Sequence, residues 1–406
     1  MNKKPIKKTS IFNLLKKIKK IKLGDEIIAL EDSNNRFLSK TIKSKINLPP
    51  FKNSAVDGYA LLKNDILKNN NKLRISKRIK AGDKASMKLL AGEAARIFTG
   101  AKMPINSNTV VMQENVTKFK NEILIKKLPF FGENCRISGE DISKGQKILS
   151  TGDRITTNNI NLIAAIGKKE VIVKKKINIG FYTSGNELTQ PTENLKNSMI
   201  NNSNFYSINA LLDKPYIRKK YLGVLKDSEF LVEKSFLNNL NNFNVIITAG
   251  GASVGEEDHL IKIIKKVGKV FFWKTAIKPG RPLAIGKIKN TIFICLPGNP
   301  VSVHLLYAMI IKPFIEYLCN GNLVLPQGET VKANFSMKKK TKRLEWIRVN
   351  IKKNKSNIIA NKFSKQGSGM ISSMAFTDGI IEVPENINFI SKGNEFLYYS
   401  FKNLFA

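Results

Sequence analysis

Val245-Ile-Ile-Thr-Ala-Gly-Gly-Ala-Ser-Val-Gly-Glu-Glu-Asp258 decides the fold. An apolar run enters a cluster of small residues and leaves through carboxylates, which reads as a buried strand passing through a tight turn into a helix. Gly250, Gly251 and Gly255 let an anion come close to the backbone. Amides at a helix N-terminus, reinforced by the Ser253 hydroxyl, suit phosphate, and Asp258 is placed to hold a cation or orient a reacting group. The structural alternative is a plain strand-to-helix turn in which Asp258 only favours the helix start.

Two further turns repeat the pattern on either side. Leu296-Pro-Gly-Asn-Pro-Val-Ser302 follows one apolar strand and opens a long apolar helix, with Pro300 suited to its first turn. Gly298, Asn299 and Ser302 cluster there beyond what helix punctuation needs, although an Asn in a turn is commonly structural. Tyr182-Thr-Ser-Gly-Asn-Glu-Leu188 follows another strand and aims Glu187 toward whatever the other turns bind. Between them, Lys274-Thr-Ala-Ile-Lys-Pro-Gly-Arg-Pro282 offers Lys274, Lys278 and Arg281 on a segment stiffened by two prolines, a rigid setting for an anionic ligand. His259 and His304 read as packing residues.

From Lys176 the chain alternates apolar strands, Gly-rich turns and helices, through Ile177–Tyr182, Phe205–Leu212, Val245–Thr248, His259–Val267, Ile292–Leu296 and Ser302–Leu318. This predicts a three-layer α/β domain with a mostly parallel sheet, with ligands beyond the carboxyl ends of its strands. The remainder divides around it. Residues 1–46 with 147–175 are expected as a small, discontinuous helical and mixed N-terminal domain, 47–146 as a β-rich inserted domain, 176–325 as the α/β domain, and 326–406 as a C-terminal β domain.

With 406 residues, 42% of them hydrophobic and 25% charged, the chain reads as globular and multidomain. No apolar run approaches the roughly 20 residues of a membrane-spanning helix. The lysine-rich start, with Ile11, Leu14, Leu15 and Ile18 at helical spacing, predicts an amphipathic surface helix rather than a secretion signal, with a mitochondrial presequence as the weaker alternative. Cys135, Cys295 and Cys319 form no CxxC pair, so neither a disulfide framework nor a zinc cluster is expected, and the protein is placed in the cytoplasm. A net charge of +38, from 69 Lys+Arg against 31 Asp+Glu, attracts polyanions, but the lysines are spread through every element and form no strip interleaved with aromatics. Specific nucleic-acid binding is therefore not expected.

An ordered set of motifs extends the reading over nearly the whole chain: Pro49–Tyr59, Arg96–Ala101 with Met103-Pro104, Val111–Glu114, Asn134–Asp141, the α/β turns, Arg343–Arg348 and Gly367–Ser372. The set resembles that of the molybdopterin molybdotransferases, which include the bacterial MoeA proteins and the E domain of gephyrin. The resemblance implies a four-domain subunit and a homodimer whose active site joins the α/β domain to the partner's β-rich domain. It implies insertion of molybdate into adenylylated molybdopterin with Mg2+-dependent release of AMP. Asp57, Thr99, Glu187, Asp227 and Asp258 match the family's catalytic positions, with Glu187, Asp227 and Asp258 as hard ligands suited to magnesium. Gly250, Gly251, Ser253, Gly255, Lys274, Lys278, Gly298, Asn299, Ser302, Arg348 and Ser368 match substrate-binding positions. A molybdopterin adenylyltransferase and molybdoenzyme or chaperone acceptors are the implied partners, with no membrane. The chain departs from the pattern at Asn186 and Asn244, where Asp is usual, and at Ala252 and Val56, mild changes that bear on affinity rather than reaction type. The alternatives are a non-catalytic dimeric scaffold of the gephyrin E type and a molybdopterin adenylyltransferase, which would match the α/β domain alone.

Overall fold

The computed structural model describes residues 5–83, 87–191, 195, 197–251, 259–340, 342–354 and 357–406. The α/β domain is built on a six-stranded sheet in the order Ile217–Leu225, Ile177–Ser184, Val245–Ala249, Thr291–Leu296, Ala284–Ile288, Lys269–Trp273. The first four strands are parallel, as the alternating pattern predicts. The last two make an antiparallel edge: Ala284–Ile288 turns back onto Thr291–Leu296 through Lys289, whose φ of 48° suits a tight hairpin. The Val245–Ala249 and Thr291–Leu296 strands are buried at every residue, which is why they read as continuous apolar runs.

The helix over Pro300–Asn320 is long and apolar enough to match a membrane span, contrary to the expectation that no such run exists. Most of it is buried in the protein core, so its apolarity is that of a central helix. Pro313 lies within it, and the preceding turn, Tyr307–Ile311, widens to a π turn. That adjustment accommodates a ring that supplies no N–H.

The lysine-rich start forms a helix over Lys8–Lys16 with the expected amphipathic stripe. Its place differs from a free surface helix: Ile11, Phe12 and Leu15 are buried in the α/β core, and Lys8 pairs with Glu382 of the C-terminal domain. The chain then enters an antiparallel ribbon, Asp25–Ala29 against Glu170–Lys174, so residues about 145 positions apart close the base from which the insert projects. The insert holds a six-stranded sheet in the order Thr109–Met112, Gly58–Leu61, Glu93–Ile97, Lys72–Ile79, Glu122–Ile125, Val116–Phe119.

In the C-terminal domain, Leu344–Asn354, Asn357–Lys362, Glu329–Ala333, Glu395–Ser400 and Gly379–Val383 pair in sequence, and the last returns to the first. This closed ring removes the sheet edges and encloses Val331, Ile347, Val349, Ile381 and Phe396. Outside the ring, Ile277–Lys278 of the α/β domain pairs in parallel with Leu344–Glu345. The two domains therefore share a sheet exactly where the proline-stiffened basic segment lies.

Candidate active site

Three neighbouring strands end in register, with Thr183 opposite Ala249 and Ala249 opposite Leu296. Their turns consequently leave the sheet side by side. Gly250 has φ 98°, and a Cβ there would meet the Ser184 carbonyl oxygen at 2.4 Å, so only glycine lets the adjacent turns touch. The Gly250 amide donates to the Leu296 carbonyl at 3.1 Å, tying the second turn to the third.

These turns floor a cleft of about 960 Å3 that Glu187, Asp227, Gly250, Gly251, Gly298 and Asn299 all line. Glu187 and Asp227 are exposed carboxylates. The Asn186 side chain accepts the Asp227 amide at 3.5 Å, linking the two acidic loops without a charge of its own. Asn244 accepts the Asn178 amide at 2.9 Å through its side-chain oxygen, an acceptor role that an aspartate would also fill. Both departures thus keep a hydrogen bond. Ala252, Ser253, Gly255 and Asp258 lie outside the described residues. Among the described residues, no three His, Cys, Asp or Glu side chains gather closely enough to form a metal cluster.

One wall of this cleft escaped the sequence reading. Asn201, Asn202, Ser203 and Asn204 line it at the start of the Ser203–Leu211 helix. Asn202 caps that helix by accepting the Phe205 amide at 3.2 Å, while its amide donates to the buried Thr183 hydroxyl at 2.9 Å. Asn204 donates to the Gly298 carbonyl at 2.7 Å and so holds the third turn. The available signal was a run of Asn and Ser directly before an apolar helix.

A second cavity of about 650 Å3 borders the first at Pro282, Pro297 and Asn299. Lys278, Arg281, Lys338, Lys340, Arg343 and Lys362 line it, with Ser302 and Ser368. Asn299 donates to the Ser368 hydroxyl at 3.0 Å, and the Val301 amide reaches the Ser368 carbonyl at 3.3 Å. The Gly367–Ser372 loop of the C-terminal domain is thereby docked on the third α/β turn. Lys278 is paired with Glu345 at 2.7 Å.

Two expected substrate ligands have protein partners of their own. Arg348 is 1% exposed, and its guanidinium donates to Ser373 Oγ, the Trp346 carbonyl and the Gly367 carbonyl. Burial pulls its pKa down to about 10 against the opposing charge of Glu345. Arg348 nonetheless lines the basic cavity, and its donors hold the docking loop there. Lys274 lies outside the lining of both cavities, with its ammonium 4.1 Å from the centre of the Trp273 ring. A left-handed backbone at Lys274, φ 72°, separates it from Lys278.

In the insert, the Asp57 carboxylate accepts both the amide and the hydroxyl of Thr99, each at 2.8 Å. Those bonds hold its pKa below the ordinary value, with the charge of Arg96 adding to the effect. Arg96 is fixed in turn by Gln113 at 2.6 Å and by the faces of Phe98 and Tyr59. Asp57 and Thr99 are brought together, but among the described residues none lining either cavity comes from the insert of the same chain.

Comparison with known proteins places these features. Family models described as the MoeA N-terminal region (domain I and II), the "Probable molybdopterin binding domain" and the MoeA C-terminal region (domain IV) match residues 8–167, 147–317 and 330–401. The molybdopterin molybdenumtransferase of Haemophilus influenzae is 35% identical over 80% of this chain and 80% of its own length. That of a Nostoc species is 29% identical over 95% and 91%. The crystal structure of the molybdopterin biosynthesis MoeA protein from Pyrococcus horikoshii superposes with a TM-score of 0.83 at 26% identity, covering 98% of this chain and all of that one.

Proposed function

The chain belongs to the MoeA family of molybdopterin molybdenumtransferases and is an enzyme of molybdenum cofactor biosynthesis, and on that premise we propose that it inserts molybdate into adenylylated molybdopterin with release of AMP. The observation that carries this reading is the junction of two unlike cavities at Pro282, Pro297 and Asn299. One is walled by glycine turns, asparagines and carboxylates, and the other by lysines and arginines. A phosphate-linked heterocycle suits the first, and a tetrahedral oxyanion suits the second.

The chemistry divides accordingly. Backbone at Gly250, Gly251 and Gly298 offers close approach to phosphate oxygens without side-chain obstruction. Glu187 and Asp227 fit a magnesium ion, which takes one or two carboxylates and leaves its other positions to water and phosphate oxygens. When bound, that ion would offset charge developing on the phosphoanhydride. Lys278 and Arg281 would hold molybdate until the pterin dithiol binds molybdenum through both sulfurs, one oxo group leaving as water with the two thiol protons, so no protein cysteine is needed; Cys295 and Cys319 are buried and line neither cavity. A water oxygen adds to the cleaved phosphorus as AMP leaves.

We further propose a homodimer in which Asp57 and Thr99 complete the cleft of the partner. Its support is that a preorganised carboxylate in the insert lines neither of the two cavities described in its own chain. A reducing, cytoplasmic setting is in keeping with the thiol state of Cys135, Cys295 and Cys319. AMP release from adenylylated molybdopterin with magnesium and molybdate tests the reaction: the wild-type chain releases AMP and retains molybdenum on the pterin. Binding of the nucleotide without release would favour the scaffold reading.

A further inference from the structure

The basic cavity contains a carboxylate that the chemistry above does not use. Glu345 stands beside Lys278 in the parallel pairing of Ile277–Lys278 with Leu344–Glu345. Residues paired in this way project from the same face of a sheet. Its Oε1 accepts from the Lys278 ammonium at 2.7 Å, while its Oε2 is buried with no hydrogen-bond partner. Glu345 is 6% exposed and, among the described residues, is the sole acidic one in the lining of this cavity. Its charge also acts on Lys339, Arg343 and Arg348, each of which burial pushes toward the neutral form.

A lysine on four flexible carbons, surrounded by other cations, has no reason to remain at one point. Mutual repulsion drives such ammonium groups outward to solvent, where they are poorly placed to hold a ligand. Glu345 removes that freedom by taking one of three N–H donors and leaving two for a ligand. Because Glu345 sits on the closed β ring and Lys278 on the α/β segment, the pair also sets the cation's position by the docking of the two domains.

We propose that Glu345 is a positioning residue that fixes Lys278 for capture of the tetrahedral oxyanion. The inference rests on the reading that this cavity receives molybdate, and the test separates the two. Full-length protein is titrated calorimetrically with sodium molybdate, for wild type, Glu345→Gln, Glu345→Asp, Lys278→Met and the Lys278→Met/Glu345→Gln double variant. Wild type binds, and Glu345→Gln binds about tenfold more weakly, the lower end of what loss of an orienting partner costs at metal sites. Glu345→Asp, charged but too short to reach, is also weakened, which keeps the test available should the glutamine variant not fold. The double variant binds no more weakly than Lys278→Met, because Glu345 acts through that lysine. In turnover, KM for molybdate rises in Glu345→Gln, while kcat and KM for adenylylated molybdopterin stay unchanged. Equal or tighter binding by Glu345→Gln, or additive losses in the double variant, would overturn the proposal. Wild-type protein that binds the pterin nucleotide but not molybdate would instead remove the reading of the cavity beneath it.

Discussion

The two cavities meet along three residues and are made in opposite ways. The α/β cleft is shaped by what is missing: glycines at the turns, with Gly250 excluded from bearing a Cβ by the Ser184 carbonyl, and asparagines that anchor loops. The basic cavity is shaped by what is added: long cations held by a buried carboxylate and by an arginine whose donors grip a loop. Backbone-built surfaces are intolerant of added volume and indifferent to salt. Side-chain-built surfaces tolerate shape changes but depend on charge and its screening. The difference teaches that shape recognition and ion capture need different materials, even within one site.

The largest effects should appear where carboxylates serve the shape-built side. Glu187→Ala and Asp57→Ala are each expected to slow AMP release about 100- to 1,000-fold, the range for loss of one transition-state contact. If the cleft is completed across subunits, unfolding and remixing the two inactive variants restores about a quarter of wild-type activity, since half the dimers then carry one intact site of two. No recovery on mixing would place Asp57 outside the partner's cleft. Lys278→Met sharpens the contrast: KM for molybdate should rise about 100-fold, with KM for the pterin nucleotide unchanged, as expected for one lost charge-assisted anchor. A shift in both constants would merge the two cavities into one.

Gly250→Ala tests the backbone-built side directly. Forcing a Cβ into a left-handed turn against a carbonyl should cost about 2–3 kcal/mol of stability, read from denaturant unfolding of the α/β domain. An unaffected Gly250→Ala protein would mean that the turn relaxes freely. Salt divides the cavities next. Raising ionic strength from about 0.05 to 0.5 M should increase KM for molybdate several-fold and leave the Gly250→Ala stability loss unchanged.

The smallest effect concerns pH. Thr99 depresses the Asp57 pKa in the folded chain, so the contribution of this pair is present above the unfolded value of about 3.9 and is lost as pH falls through the lower, folded one. Hydrogen exchange at the Thr99 amide, corrected for intrinsic rates, should show constant protection from pH 8 to 5 and lose it only below about 4. Loss of protection near pH 6 would contradict the assignment.

Much of this contrast is legible in the sequence because turn chemistry is local. Glycine, proline and asparagine declare their backbone needs within a few residues, which is why the sequence alone puts the turns in 182–188, 245–251 and 296–302 at strand ends. The cations were less readable. Lys274 and Lys278 look alike on one stiff segment, and only the left-handed turn at Lys274 sends them to different neighbours. Arg348 carries the same charge as its neighbours, yet its burial depends on a strand alternation completed by a loop about 20 residues later. Asn202 and Asn204 were lost against a background of abundant asparagine, and the Ile217–Leu225 edge strand was hidden by its Arg-Lys-Lys sequence. The packing of the first helix on the α/β core could not be read locally, because an amphipathic stripe does not name the surface that covers it.

The division of labour between the two cavities is tested most directly by single-turnover AMP release over a range of molybdate concentrations, for wild type, Lys278→Met and Glu187→Ala. The account predicts that wild type releases AMP with molybdenum retained on the pterin, that high molybdate restores release to Lys278→Met, and that no concentration restores Glu187→Ala. Rescue of Glu187→Ala by molybdate, or failure to rescue Lys278→Met, would contradict it.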